Sequence, residues 1–145
     1  MACCDIFTVF DEKNNLIKEY THWKLLIRNR STTLGNCVAI TKTHHEQFSG
    51  LSAEEMKDFS NVVKDIEKAL SICFHYDKIN YLMLMLKDNH THFHILPRYA
   101  TPKIFENVTW EDKAWPSASE LISMKGPIVD QDYLDKVKKE IIKQI

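Results

Sequence analysis

The stretch Asn89-His90-Thr91-His92-Phe93-His94-Ile95-Leu96-Pro97-Arg98-Tyr99 places three of the chain's seven histidines within five positions. Side chains at i, i+2 and i+4 of a strand share one face, and the chain rises about 3.3 Å per residue. A strand over 90–98 therefore lines up His90, His92 and His94 on one side, successive imidazoles roughly 6 to 7 Å apart. Phe93 and Ile95 point the other way, into a core. Solubility does not account for such an alternation, because Lys or Thr would serve a solvent face equally well.

Working outward, Ile79 to Leu86 is apolar on both sides of the pleat, which predicts a central strand covered on both faces or buried against a dimer partner. Asp88 and Asn89 supply the turn after it. Further upstream, Met56, Phe59, Val63, Ile66, Leu70 and Cys73 recur at three- and four-residue intervals, predicting one long amphipathic helix from Ser52 to about Phe74. Ser52 and Glu55 have the spacing of a capping box at its start. The first forty or so residues read as a meander of short strands, Ile6 to Phe10, His22 to Ile27 and Asn36 to Thr41, with a turn at Glu12 to Asn15. Beyond the histidines, prolines at 97, 102, 116 and 127 break the chain into loops. There the segment Trp110 to Trp115 forms either a lid over a ligand or a surface cluster. A last helix, capped by Asp130, carries Leu134, Val137, Ile141 and Ile145 inward. These elements define an α+β domain with a mainly antiparallel sheet of about five strands, one long helix and a C-terminal helix.

A chain of 145 residues, 44% apolar and 27% charged, fits a single domain over 1–145 with one core. No repeat or linker interrupts it. With a formal charge of −1 the chain has no general field for a nucleic-acid polymer or an anionic membrane, so any anionic ligand must be held by local groups. The N-terminal MACCDIFTVFDEKNNL lacks a basic n-region, and the longest apolar run, Tyr81 to Leu86, is too short to span a bilayer. A cytoplasmic location is expected. The four cysteines, Cys3, Cys4, Cys37 and Cys73, follow no disulfide spacing and read as reduced thiols.

Three readings of the histidine row compete. It is a polar sheet face that happens to be rich in histidine, or a metal site, since neutral imidazole is the commonest metal ligand. The segment after His94, however, offers no carboxylate or further histidine to complete a metal set. In the third reading one imidazole attacks an electrophilic phosphorus while its other nitrogen donates to a fixed acceptor, and its neighbours hydrogen-bond the phosphoryl oxygens.

The run His90-Thr91-His92-Phe93-His94-Ile95-Leu96 fits the pattern His-φ-His-φ-His-φ-φ and resembles the histidine-triad (HIT) superfamily. The following Pro97-Arg98 resembles its dinucleoside polyphosphate hydrolase members. Val38-Ala39-Ile40-Thr41-Lys42-Thr43-His44 is similar to the family strand that ends in Pro-Lys-x-His, Leu51 to Glu55 to the start of its long helix, and Ile79-Asn80 to a strand that often carries an asparagine. The match covers roughly residues 4 to 99, leaving 100–145 as a C-terminal loop and helix.

This resemblance implies a homodimer acting on a nucleotide substrate, with no cofactor required. His92 is implied as the nucleophile that attacks the α-phosphate and becomes nucleotidylated, His94 as a phosphate contact, and His90 as support, its backbone carbonyl accepting from His92. Asn80, Asn36, Arg28, His44 and Arg98 are implied around the substrate, Arg28 and Asn29 falling where relatives place a polar residue for the ribose. Asn36 stands where many members have histidine, and Met85-Leu86-Lys87-Asp88-Asn89 replaces the familiar Gly-Gln-Ser/Thr element. Lys87 and Arg98 are the nearby cations; Lys87 reads more simply as a solvated charge. Some relatives hold a structural zinc through Cys-x-x-Cys and histidines corresponding to His44 and His90. Here Cys4 matches the second cysteine and Met1 falls on the first, so absence of metal is the leading reading and a structural zinc the lesser one. The rival functions are a nucleotide-binding module without turnover and a histidine-rich metal-binding protein.

Overall fold

The computed structural model describes residues 5–145. In the run Trp23–Ile27 (β2) only Lys24 is not fully buried. Apolar and β-branched side chains favour such a pleated, covered surface. β2 pairs antiparallel with Cys37–Thr41 (β3), every residue of which is buried. His92–Arg98 (β5) lies on the far side of β3, Lys78–Leu82 (β4) pairs with β5, and Leu16–Glu19 (β1) pairs with β2. The sheet is antiparallel throughout, in the order β1-β2-β3-β5-β4.

One face of this sheet is covered by helices. Ala53–Phe74 (α3) begins with a closed capping box: Ser52 Oγ accepts from Glu55 N–H and the Glu55 carboxylate accepts from Ser52 N–H. Its residues Val62, Ile66, Ala69 and Leu70 meet Trp23, Leu25, Ala39 and Ile95 in the main core. Gln131–Ile142 (α4), capped by Asp130 through Tyr133 N–H, adds Leu134, Val137 and Ile141 to the same core. Each fully buried Leu or Ile contributes about 1.5–3 kcal/mol. The opposite face carries a smaller cluster, where Ile6 and Phe10 cover Leu26, Val38 and Ile40.

The first of these residues belongs to a helix, Ile6–Val9 (α1), and Glu12–Asn15 (α2) is a second helical turn. Ile6 to Phe10 is therefore not the strand that its apolar content predicts. Its residues at i and i+4, Ile6 and Phe10, are buried while Thr8 and Val9 are exposed, a helical and not an alternating pattern. The first strand is instead Leu16–Glu19, between the expected turn and the expected strand at His22.

For Ile79 to Leu86, the central strand covered on both faces is also corrected. β4 ends at Leu82 and sits at the sheet edge, its residues only partly buried, and Leu86 is 79% exposed. The face of α3 is rotated as well: Met56 is 44% exposed and Val62 takes the buried place expected of Val63. Near its start, α3 turns Glu55 and Asp58 inward, Asp58 accepting from His22 N–H at 2.7 Å, so polar partners set the helix angle there. Trp110 ends Val108–Trp110 (β7), which pairs with Lys103–Phe105 (β6). It is 2% exposed and donates its indole N–H to Tyr133 Oη, which makes it core and neither lid nor surface cluster.

Candidate active site

The register of β5 decides which way the histidines face. His92 pairs with Ile40 and His94 with Val38, so both rings share the face covered by α1. Phe93, between them, stacks on Phe59 of α3 with ring centroids 4.7 Å apart. The His92 and His94 rings lie edge to face at 5.1 Å, closer than bare strand spacing, and Phe10 approaches each at 5.8 Å.

His90 is held differently. It precedes β5, where Thr91 is tied to His45 O through its backbone N–H and hydroxyl and to Thr41 N–H through its carbonyl. The His90 ring turns toward β3, Nε2 lying 2.7 Å from Thr41 O. A carbonyl only accepts, so Nε2 carries the proton and Nδ1 is left to accept from His44 Nδ1 at 3.2 Å. By the same logic His92 Nδ1, 2.6 Å from His90 O, donates to it. This leaves Nε2 of His92 with a lone pair in the plane of a ring whose orientation is set by the main chain.

A cavity of about 450 Å³ opens at these rings, lined by His92 and His94, by Val9 and Phe10, by Arg28, Asn29 and Arg30, and by Leu84 to Asp88 in part. Burial, with smaller effects from Arg28 and His92, lowers the pKa of His94 to about 4. Burial lowers that of His90 too. Both are neutral at pH 7, so the positive charge beside the cavity comes from Arg28, Arg30 and Lys87, with the Asp88 carboxylate on the same wall.

The implied substrate residues do not all gather here. Arg28 borders the cavity. Asn36 is fully buried behind it, accepting from Thr32 N–H and donating to Cys37 O and Ile95 O, and so holds the loop that carries Arg28 against β5. Asn80 and Arg98 stand apart: Arg98, 3% exposed, pairs with both oxygens of Asp112 and donates to Asn80 Oδ1 and Ser117 O. Arg98 is thus engaged within the protein and does not line the cavity. His44 lies beyond His90, with Glu46 3.3 Å from its Nε2. Phe10, Val9, Arg30 and Leu84 line the cavity without having been singled out. The (i, i+3) aromatic pair Phe7 and Phe10, contacting His90 and both His92 and His94, was the available signal.

Among the described residues no group of three or more His, Cys, Asp or Glu is placed to hold a metal. For the structural zinc that the resemblance raises, His44 and His90 bring two nitrogens together, whereas Cys3, Cys4 and Met1 lie outside the described residues. Two imidazoles alone do not make a tetrahedral set.

An α+β domain with paired imidazoles on the α1 side of its sheet is the arrangement that the histidine-triad pattern leads one to expect. Residues 10–101, more than half of the chain, match the HIT domain, and the chain belongs to that family. Solved structures share the fold. A histidine triad protein from Marinobacter aquaeolei has TM-score 0.74 and 15% identity, covering 99% of this chain and 98% of its own. A hypothetical histidine triad nucleotide-binding protein from Sulfolobus tokodaii has TM-score 0.68 and 17% identity, covering 96% and 90%. The diadenosine triphosphate hydrolase of Plasmodium falciparum, in complex with Cyclomarin A, has TM-score 0.63 and 13% identity, covering 90% and 76%. No curated protein matches the chain.

Proposed function

We propose that the chain is a nucleotide hydrolase or nucleotidyl transferase that cleaves dinucleoside polyphosphates or related conjugates at the α-phosphate. The observation that carries this reading is the 2.6 Å hydrogen bond from His92 Nδ1 to His90 O, which turns Nε2 of that ring toward an open cavity with arginines in its wall. Family membership and the names of the Sulfolobus and Plasmodium neighbours support it.

In this mechanism Nε2 of His92 attacks the α-phosphorus, the N–P bond forms and the bond to the leaving group breaks with its electron pair. The imidazole becomes an N-phosphoryl imidazolium whose Nδ1–H stays on His90 O. Water then attacks phosphorus, the N–P bond breaks, and the nucleoside monophosphate leaves with His92 restored. His94 donates one N–H to a phosphoryl oxygen, and Arg28 balances its charge. Val9, Phe10 and Leu84 offer the apolar wall against which a base packs.

The exposed edge of β4 supports a homodimer, in which a second β4 extends the sheet. Free thiols at Cys37 and Cys73 fit a reducing compartment such as the cytosol. No described helix is long and apolar enough to cross a membrane.

Leu84 and Leu86 offer phosphate no side-chain donor and leave Lys87, beside Asp88, as the one cation of that wall segment, which favours as a second reading a module that holds nucleotide without turnover. Rapid quenching during incubation with a diadenosine polyphosphate, followed by intact mass measurement, decides between them. The enzyme reading expects a nucleotidyl adduct that His92→Asn abolishes, together with released mononucleotide. Tight binding with neither adduct nor product selects the second reading.

A further inference from the structure

Arg28 follows β2 and lines three adjoining cavities. One is the cavity at His92, and a second, about 100 Å³, lies against Asn36, His94 and Leu96. The third, about 690 Å³, lies between residues 28–32 and residues 122–129. Its walls carry Arg28, Arg30 and Lys125 and no carboxylate. Gly126 closes one end by backbone contact: a Cβ there would stand 2.3 Å from Ser31 O and 2.9 Å from Thr32 O. The enclosure is thus built by two segments far apart in sequence, brought together where only glycine fits.

Arg28 is incompletely satisfied in this setting. Its Nη1 donates to Arg30 O at 2.5 Å and lies 3.4 Å from Thr32 Oγ1. Its Nε is buried and has no hydrogen-bond partner. Among the described residues no ion pair involves Arg28, Arg30 or Lys125. A half-buried guanidinium whose inner N–H has no acceptor, lining a cavity with two further cations and no carboxylate, is costly unless an anion in that cavity meets its outer donors. Guanidinium is also the side chain whose fork of donors matches phosphate.

We propose that the cavity between residues 28–32 and 122–129 is an anion subsite, in which Arg28, supported by Arg30 and Lys125, binds a second phosphate of the substrate. As a statement about substrate it rests on the nucleotide reading of the His92 cavity, with which it shares Arg28. The second phosphate comes either from the polyphosphate chain of the leaving group or from a phosphorylated ribose. In both cases the subsite selects conjugates with two separated negative groups over those with one.

Inorganic tripolyphosphate, titrated into the full chain by calorimetry, tests the subsite without any need for turnover. Binding is expected to weaken at least about tenfold in Arg28→Gln, and by about threefold in Lys125→Ala, an exposed position that does not endanger the fold. Parental affinity in both variants, or no binding by the parent, overturns the proposal.

Two ratios of kcat/KM then identify the source of the anion. They compare diadenosine triphosphate with an AMP conjugate of an uncharged amine, and that conjugate with its ribose-phosphorylated form. At least one ratio falls about tenfold in Arg28→Gln, and the one that falls names the source; two unchanged ratios overturn the proposal. If the parent cleaves no conjugate at all, the His92 mechanism fails while the tripolyphosphate titration still decides the subsite.

Discussion

His92 Nδ1 donates to the carbonyl of His90, two residues earlier in the chain, across 2.6 Å. The acceptor is main chain, so the side chain of His90 is not what orients the His92 ring. Replacing His92 with Asn is expected to lower kcat by about 1,000-fold or more, because it removes the attacking nitrogen. Replacing His90 with Asn disturbs the contacts to Thr41 O and His44 but keeps the carbonyl, and a loss of about 10- to 100-fold is expected. Steady-state assays on a diadenosine polyphosphate compare the two; equal losses would place the His90 side chain in the chemistry.

His94 makes stability depend on pH. Unfolded histidine takes up its proton near 6.5, the folded residue near 4. Between these values the unfolded chain binds more protons, so stability is complete above pH 6.5 and falls as pH falls toward 4, by at most about 1.4 kcal/mol per unit. The His90 shift acts in the same direction. Urea midpoints at pH 7 and pH 5 should differ less in His94→Gln than in the parent. An identical difference in both would show that His94 is solvated when folded.

Arg98 and Asp112 are both nearly inaccessible and meet through two hydrogen bonds. Removing one partner strands the other, and Arg98→Met is expected to cost about 3–5 kcal/mol in chemical denaturation. Adding Asp112→Leu should recover much of that loss, since paired apolar groups have no charge to desolvate. A single variant within about 1 kcal/mol of the parent would mean that water reaches the pair.

An edge strand followed by partly exposed Met83, Leu84 and Met85 is the surface that the proposed second copy would cover. Sedimentation velocity at micromolar concentration is expected to give a dimer, and Met83→Glu to shift it toward monomer. A parent that sediments as a monomer at every concentration removes the homodimer from the proposal.

Much of the fold was legible because its signals are local. The period of α3, its Ser52–Glu55 box and the Asp130 cap of α4 each depend on neighbours within a turn of helix, and all appear in the structure. Other elements were misread for equally physical reasons. Ile6 to Phe10 is too short for its period to tell helix from strand, and its helical form is chosen by the apolar patch of Leu26, Val38 and Ile40 that it covers. Ile79 to Leu86 looks central because it is apolar on both sides, but apolarity cannot say whether the covering partner is the same chain or another. Asn80 and Arg98, implied as ligand residues, meet each other away from the His92 cavity, and Arg98 is held there by Asp112, a residue at a distance in sequence.

From its own residues, the chain determined that three imidazoles alternate with β-favouring side chains, that two helices bear apolar faces, and hence an α+β fold with its histidine row at one strand. The tertiary structure alone decided that His92 and His94 face a cavity while His90 turns to Thr41, and that Arg28, not Arg98, stands at that cavity. Periodicity is a property of consecutive residues and survives in the bare sequence. Which cation is left unpaired beside a nucleophile depends on where distant carboxylates come to rest, and that is settled only when the chain has packed.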